Sequence, residues 1–588
     1  MDRIEQAPPR WRRAGLATAF GPRQPLEVFA LGQDPLAPAW QGRLVWGLLI
    51  LGLAARLLRY ALQFPLWEDE CFLSINLDRG WGGLMQPLWC HQTAPLLFLW
   101  AQYLLTRLLG FSELSLRLLP LLASLAGLLI FAHMARRLLK GTALVLAVGF
   151  LAVAYPGIRY AAEAKQYGTD LFVAAGLLAL AVEWWRQPQK TRYLWILAAL
   201  GPLAVGLSYP AVFVAGGIAA FIVLTLLTAR QRVADGSAGQ GRAWAAWAAL
   251  VVGIGGGFGL FYFLSGAAQG RGELAYMQQF WHDAFPPSPA HPLELAKWLV
   301  VTHASELLAI PAGSERGGSS LTLVFCLAGL AVAIKRRSGV ILALSLAPAG
   351  LQLAAAALHR YPYGGAVKFS MQLAPFICIL AGLGAARLLA LLASRPVHLR
   401  RGIAVVIILL SCVAVGSMLR DIIYPYKAVS DLRARSFAQW YWPTAEFSGE
   451  VVDAQTDLRL LAKLDSAAPA PPLSFGVTDI CPDLCRDLNW GIQYLCDQRI
   501  YSPRHQKGLP PRYDLVSRDW PLRVVVYRVA KFPFDQQRLD AWLAEMQSRY
   551  ELAGRETYPV PRYDKRERHV ITVDEITIFT FVPKQGER

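Results

Sequence analysis

Three consecutive carboxylates, Glu68, Asp69 and Glu70, stand in the stretch Trp67-Glu68-Asp69-Glu70-Cys71, just after the first long apolar run. Charge at a membrane edge is costly to desolvate, and it marks a place where the charge is used. Such a carboxylate can take a proton from an attacking hydroxyl or amine. His91 and Gln92 close the same polar stretch. Two later stretches carry complementary chemistry: Arg159, Tyr160, Glu163, Lys165 and Tyr167, then His359, Arg360, Tyr361, Tyr363 and Lys368. Arginine and lysine neutralise an anionic leaving group without protonating it. Each residue also has an ordinary reading: a lone carboxylate at a span end is solvated or caps a helix. Lys165 or Arg360 alone would suit a side chain reaching for lipid head groups. The set makes a site only if the chain brings it to one side.

The elements that must do this are membrane spans. The 588 residues are 55% hydrophobic, and apolar runs of about 20 residues, long enough to cross a bilayer, recur from Leu44 to about Arg420. Basic residues at the ends of runs mark the cytoplasmic side. Leu44 to Leu62 leaves an arginine-rich N-terminal arm and emerges outside. Leu114 to Ala135 ends in Arg136, Arg137 and Lys140, so it runs inward. The segment between them, Ala94-Pro95-Leu96 to Gly110, must then begin and end outside, as an interfacial helix.

Alternation continues through Ala143–Ile158, Leu171–Trp185, Leu194–Ser208, Val212–Leu227, Ala243–Leu264, Leu321–Ile334, Val340–Leu358, Phe369–Leu392 and Ile403–Met418. This predicts about eleven spans, with the N-terminus cytoplasmic and the tail outside. A long outer loop holds a predicted amphipathic helix over Leu293–Ile310. The predicted division is a cytoplasmic arm over 1–43, a transmembrane unit over 44–420 and an extracytoplasmic α/β unit over 421–588. The fold class expected is an α-helical polytopic membrane protein with a C-terminal soluble α/β domain.

In the tail, Leu522–Val529 and Ile571–Val582 read as strands, the second broken at Asp574-Glu575. Phe534–Tyr550 has helical apolar spacing at Leu539, Trp542, Leu543 and Met546. The net charge of +17 is distributed between apolar runs rather than gathered in a patch. It therefore serves topology and membrane lipids, and no nucleic-acid partner is expected. Cysteine spacing matches no zinc module. Cys71 with Cys90, and Cys481 and Cys485 with Cys496, would allow one or two disulfides in an oxidising space.

With this sidedness, Glu68, Asp69, Glu70, His91, Gln92, Glu163, Lys165, Tyr167, Arg360, Tyr361 and Lys368 all fall on the outer face. Acids and bases meeting at a membrane interface suit a substrate with an anionic head and an apolar tail, such as a polyprenyl-phosphate sugar. The lipid phosphate needs charge neutralisation as it leaves, and the attacking group needs a base. No phosphate-cradling nucleotide loop is present, and such a donor requires none.

The order of motifs resembles the GT-C superfamily of polyprenyl-phosphate-dependent glycosyltransferases. Within it, the branch with protein O-mannosyltransferases and the lipid A aminoarabinose transferase is nearest. The resemblance rests on Asp69-Glu70 after span one, Ala94 to Trp100 led by Pro95, the turn Leu109-Gly110-Phe111-Ser112, and Glu113 with Arg117. It is extended by Tyr160-Ala161-Ala162-Glu163-Ala164-Lys165-Gln166-Tyr167 and by His359-Arg360-Tyr361-Pro362-Tyr363-Gly364-Gly365 through Lys368 and Pro375. It covers about residues 44–395.

The resemblance implies a GT-C fold and an inverting hexosyl or pentosyl transfer in the plasma (inner) membrane. The acceptor would be a lipid, an envelope glycan or a protein. It implies catalytic roles for Asp69 as general base, Glu70 in support and Glu163 as organiser. Lys165, Arg360 and Lys368 would bind the lipid phosphate, and Glu68, His91, Gln92, Tyr167 and Tyr361 would line the substrate. Lys165 and Lys368 stand where arginine is expected, giving a point charge instead of a fork. The resemblance fixes no cofactor. Where such enzymes use a cation, Asp69 and Glu163 would hold it, and oxygen ligands favour Mg or Mn over Zn. The rival class is a transporter or flippase for lipid-linked glycans, which needs ionisable residues at mid-span depth.

Overall fold

The computed structural model describes residues 24–28, 34, 38–62, 70, 73–88, 92–110, 113–230, 238–310, 318–393, isolated positions from 396 to 422, 473–476, 522–528, 536–563 and 570–584. Glu68, Asp69, His91, Cys71, Cys90, Cys481, Cys485 and Cys496 lie outside these residues, as does most of the expected span Ile403–Met418.

Helices dominate up to residue 393. In order they are α1 (Pro38–Ala61), α2 (Leu96–Leu109), α3 (Glu113–Leu138), α4 (Gly141–Ala152), α5 (Tyr155–Arg159), α6 (Tyr167–Arg186), α7 (Arg192–Leu207) and α8 (Ala211–Arg230). They continue with α9 (Ala238–Phe261), α10 (Ala267–Phe280), α11 (Pro292–Ala304), α12 (Gly318–Lys335), α13 (Gly339–Ala357) and α14 (Ala374–Ala393). Among the described residues seven helices are long and apolar enough to cross a membrane. The bent pair α4–α5, broken at 47°, makes eight. The expected spans at Leu194–Ser208 and Leu321–Ile334 are present as the shorter apolar helices α7 and α12. The chain is thus a mostly helical, multi-pass membrane protein.

Contacts between helix ends sort the charges. At one end Arg136 lies over the Trp46 ring at 5.4 Å, Gly141 N–H donates to Gln41 Oε1, and Arg137 Nε donates to Glu183 Oε1 at 2.6 Å. At the other end Tyr60 O–H donates to Leu114 O, and Glu70 meets Arg117. The basic run at 136–140 and the acidic residue Glu70 therefore stand at opposite ends of the bundle. A 20-residue helix such as α6 rises about 30 Å between those ends.

The α2 helix rises only about 21 Å, short of the hydrocarbon thickness of about 30 Å. Both its ends stay at the Glu70 end, because Ala94 O accepts from Tyr209 O–H and Gln102 Nε2 donates to Leu116 O. Pro95 precedes its first turn and Gly110 ends it at φ +79°. Two boundaries differ from the expected ones. The helix expected over Leu293–Ile310 ends at Ala304, and the span expected from Phe369 starts at Ala374. In the second case residues 367–373 are held as turns by side chains from inside the bundle, described below.

The C-terminal residues form a four-stranded sheet: β1 (Leu473–Gly476), β2 (Leu522–Arg528), β3 (Tyr550–Tyr563) and β4 (Val570–Pro583), in the order β1-β2-β4-β3. β1 and β2 are parallel and the other pairs antiparallel. A helix, α15 (Gln536–Arg549), buries Leu539 and Met546 as its spacing predicts. The expected break at Asp574-Glu575 is absent: β4 runs through it. In the ladder Glu575 stands opposite Arg528. β3 escaped prediction because of Pro559 and Pro561. It is the edge strand, where proline loses no ladder bond that the sheet requires.

Candidate functional site

Glu70 is fully buried, and three donors hold it. Arg117 grips both oxygens, Nε to Oε1 at 2.8 Å and Nη2 to Oε2 at 2.6 Å, and Ala164 N–H donates to Oε1 at 2.6 Å. Arg117 is 3% exposed. A bidentate arginine–carboxylate fork fixes direction as well as distance. The knot joins the polar stretch after α1, the start of α3 and the segment that leads into α6. Arg117 was visible only as part of a motif, and its partner could not be read from spacing.

The segment from 159 to 167 exists because a span breaks. α4 ends at Ala152, and α5 opens with Pro156 in its first turn, where a missing N–H costs nothing. The freed carbonyls need donors, and Arg56 of α1 supplies them. Its guanidinium, wholly buried, donates to Ala152 O, Leu151 O, Gly52 O and Ser124 Oγ, and Ser124 in turn donates to Gly157 O. Beyond the break, Arg159 Nε donates to Glu163 Oε2 at 3.0 Å, and Lys165 Nζ donates to Gln92 Oε1. Lys165 is 5% exposed. That burial sets aside the reading of Lys165 as a side chain reaching for head groups.

The segment from 359 to 369 is shaped by its backbone. His359, Gly364 and Gly365 have φ of +53°, +88° and +75°. A Cβ on Gly364 would lie 2.4 Å from Thr302 Cγ2, so the paired glycines answer both to the turn and to α11 beside it. Tyr363 N–H donates to Ala284 O. His303 Nδ1 faces Leu299 O and carries its proton there, so Tyr363 O–H donates to His303 Nε2 at 3.1 Å. Burial pushes the Tyr363 hydroxyl up to about 12.

Two buried amides fasten both ends of this segment. Gln352 of α13 donates to Pro362 O and Phe369 O, each at 2.9 Å, and Gln372 donates to Gln352 Oε1 and Phe369 O. Replacing Gln352 by Leu strands the Pro362 carbonyl, and a buried acceptor left unmade costs about 1–3 kcal/mol. We expect Gln352→Leu to lower the thermal midpoint of the purified protein. It should also loosen the 359–369 segment, read as faster amide exchange there than elsewhere. Neither Gln352 nor Gln372 was expected, since one amide inside an apolar run does not say what it binds.

Lys368 Nζ lies over Trp281 at 4.9 Å, Phe369 at 5.7 Å and Tyr167 at 5.8 Å, a cation among ring faces. Tyr361 packs against Phe213 and Phe369 at 5.3 and 6.0 Å. Its hydroxyl is pushed well above the ordinary tyrosine range by burial, with Asp170 and Tyr167 adding to the rise. Arg360 is exposed.

The structure therefore brings together Glu70, Gln92, Glu163, Lys165, Tyr167, Tyr361 and Lys368, drawn from three distant stretches. Arg360 stays at the surface. Among the described residues, no group of three or more His, Cys, Asp or Glu side chains stands ready for a metal ion. Arg159 already engages Glu163, and Arg117 engages Glu70. Of the expected site carboxylates that are described, Glu70 and Glu163 thus each have a positive partner from the protein.

No family model matches the chain, and no curated protein matches it in sequence. Among solved structures, it is similar to ArnT from Cupriavidus metallidurans bound to undecaprenyl phosphate. Identity is 14% over 92% of this chain and 98% of that one, with a TM-score of 0.48. It is also similar to the archaeal oligosaccharyltransferase AglB from Archaeoglobus fulgidus in complex with an inhibitory peptide and a dolichol-phosphate. There identity is 13%, over 69% of this chain and 59% of that one, with a TM-score of 0.39. A further structure of the Archaeoglobus enzyme, in complex with Zn and sulfate, matches at 12% identity over 68% and 56% of the chains, with a TM-score of 0.38. ArnT and AglB are thus among the solved structures to which this chain is similar.

Proposed function

We propose that the protein is a membrane glycosyltransferase that moves one sugar from a polyprenyl-phosphate donor to an acceptor. The observation that carries this reading is the Glu70 knot. It pins the residue joined to Asp69 by one peptide bond to the segment that carries Glu163 and Lys165, at the end of the bundle where Lys368 also lies.

In the reaction, the acceptor hydroxyl or amine attacks the anomeric carbon from the side opposite the phosphate. Asp69 takes its proton as the new bond forms. The carbon–oxygen bond to phosphate breaks, its electron pair leaves on the phosphate, and the configuration inverts. Lys165 and Lys368 neutralise the lipid phosphate, whose charge grows as it departs. Glu70 has three donors on its two oxygens, so it serves as a positioning residue beside the base. Glu163 organises the 159–165 segment through Arg159. Glu68, His91, Gln92, Tyr167 and Tyr361 line the substrate. If a divalent cation takes part, Asp69 and Glu163 are its ligands, and Mg or Mn suits their oxygens.

The transferred group is a hexose or pentose, and the acceptor a lipid, an envelope glycan or a protein chosen by the unit over 421–588. That unit and the site face outward from the inner membrane, with the arm over 1–43 in the cytoplasm. Reconstitution in liposomes tests the reading, with a radiolabelled polyprenyl-phosphate sugar and an envelope-lipid acceptor on the same side. Label transferred to the acceptor is the expected result. Movement of the donor across the bilayer with no transfer would instead mark a flippase and overturn the assignment.

A further inference from the structure

Asp170 has no part in the chemistry above, yet its setting asks for a ligand. It lies in the first turn of α6, 2% exposed, one turn after Tyr167 and on the same helix face. Its Oδ1 completes no hydrogen bond among the described residues, and no ion pair to it exists among them. The Ser208 hydroxyl, at the end of α7, is the one side-chain donor set against the carboxylate, and it leaves Oδ1 open. Thr169 Oγ1 and Gln166 Oε1, from the same turn, are buried without partners as well. Tyr361 approaches from the 359–369 segment and faces both Asp170 and Tyr167.

Buried polar groups in folded proteins are almost always bonded, and a buried carboxylate oxygen left open is among the costliest exceptions. Here several such atoms belong to the first turn of α6 and the residue before it, and Ser208 at the end of α7 meets one of them. A dry apolar core does not explain them; a bound molecule rich in O–H or N–H donors does. That molecule is not the phosphate, which a carboxylate repels. The phosphate-neutralising ammonium of Lys368 stands over Tyr167, and Asp170 lies one turn beyond.

We propose that Asp170, with Ser208 and Tyr361, forms the subsite for the transferred sugar, and that Asp170 accepts a hydrogen bond from a sugar hydroxyl or amino group. This rests on the lipid-linked donor assigned above. Asp170 would then set which sugar is accepted, because a site built to bond a polar group rejects a ligand lacking it.

The test measures binding to the full chain in nanodiscs. The probes are undecaprenyl phosphate alone and a panel of undecaprenyl-phosphate hexoses, pentoses and amino sugars. Wild type is expected to bind at least one sugar-bearing lipid about tenfold or more tighter than the bare lipid phosphate. Asp170→Leu should lose that preference while its affinity for bare undecaprenyl phosphate stays unchanged. Asp170→Asn, of the same shape and carrying a weaker acceptor, should lose part of it. If Asp170→Leu does not fold, the Asn variant decides, and full retention of the preference there overturns the proposal. Equal affinity of wild type for every sugar-bearing lipid and the bare phosphate would also overturn it. Failure of wild type to bind bare undecaprenyl phosphate would instead strike the donor assignment itself.

Discussion

Asp69→Asn is expected to lower turnover by about 10²–10⁴-fold, the span that a positioned general base contributes. The reason is specific to this chain. Of the three adjacent acids, Glu70 is surrounded: both oxygens take donors from Arg117, and one takes a third from Ala164 N–H. A carboxylate so engaged would have to break a charged fork before accepting a proton, which removes it as a base. Asp69, joined to it by one peptide bond, is the acid proposed as the base. Asparagine matches aspartate in shape, so the variant should fold and bind undecaprenyl phosphate as wild type does. Its loss should appear in kcat with KM for the donor little changed, the pattern of an interaction made only in the transition state. The matched control is Glu68→Gln, for which a change of less than tenfold is expected. Single-turnover transfer with labelled donor checks both. Asp69→Asn within threefold of wild type, or Glu68→Gln as the dead variant, would move the base to another residue.

Much of the site could be read from the chain because charge placement reports sidedness. Arg136, Arg137 and Lys140 fixed the direction of α3, and that placed Gln92, Glu163, Lys165 and Lys368 at one end, where the structure joins them. The short α2 was legible for the same reason: its neighbours left it no room to cross. What escaped were polar residues inside apolar runs. Arg56, Gln352 and Gln372 each sit in or beside a stretch whose composition reads as lipid-facing or core. Their partners are backbone carbonyls freed where a helix breaks, and a break gives no signal at the distant residue that mends it. Asp170 was hidden differently: it stands just before the expected run at Leu171 and falls in the first turn of α6. In the tail, β3 was masked by prolines that only an edge position permits, and Asp574-Glu575 looked like an interruption until Arg528 was known to lie opposite.

The second large effect concerns the knot itself. Arg117→Met leaves the Glu70 carboxylate buried with one backbone N–H in place of a guanidinium, and breaking a buried pair on one side costs about 3–5 kcal/mol. Glu70→Leu strands the arginine and should cost a similar amount. The double variant, Glu70→Leu with Arg117→Met, is expected to recover most of that loss, because an apolar pair of like volume often replaces a buried ion pair without penalty. Thermal midpoints of the four proteins in one detergent give the coupling through a double-mutant cycle. Activity should not follow stability. The apolar pair packs but no longer holds Ala164 N–H, and with it the segment bearing Glu163 and Lys165, so transfer by the double variant should stay far below wild type. That divergence separates a positioning role from a purely structural one. A double variant that regains both stability and turnover would mean that the fork holds the fold together and does nothing for the base beside it. Single variants as stable as wild type would mean that the pair is not buried as the structure has it.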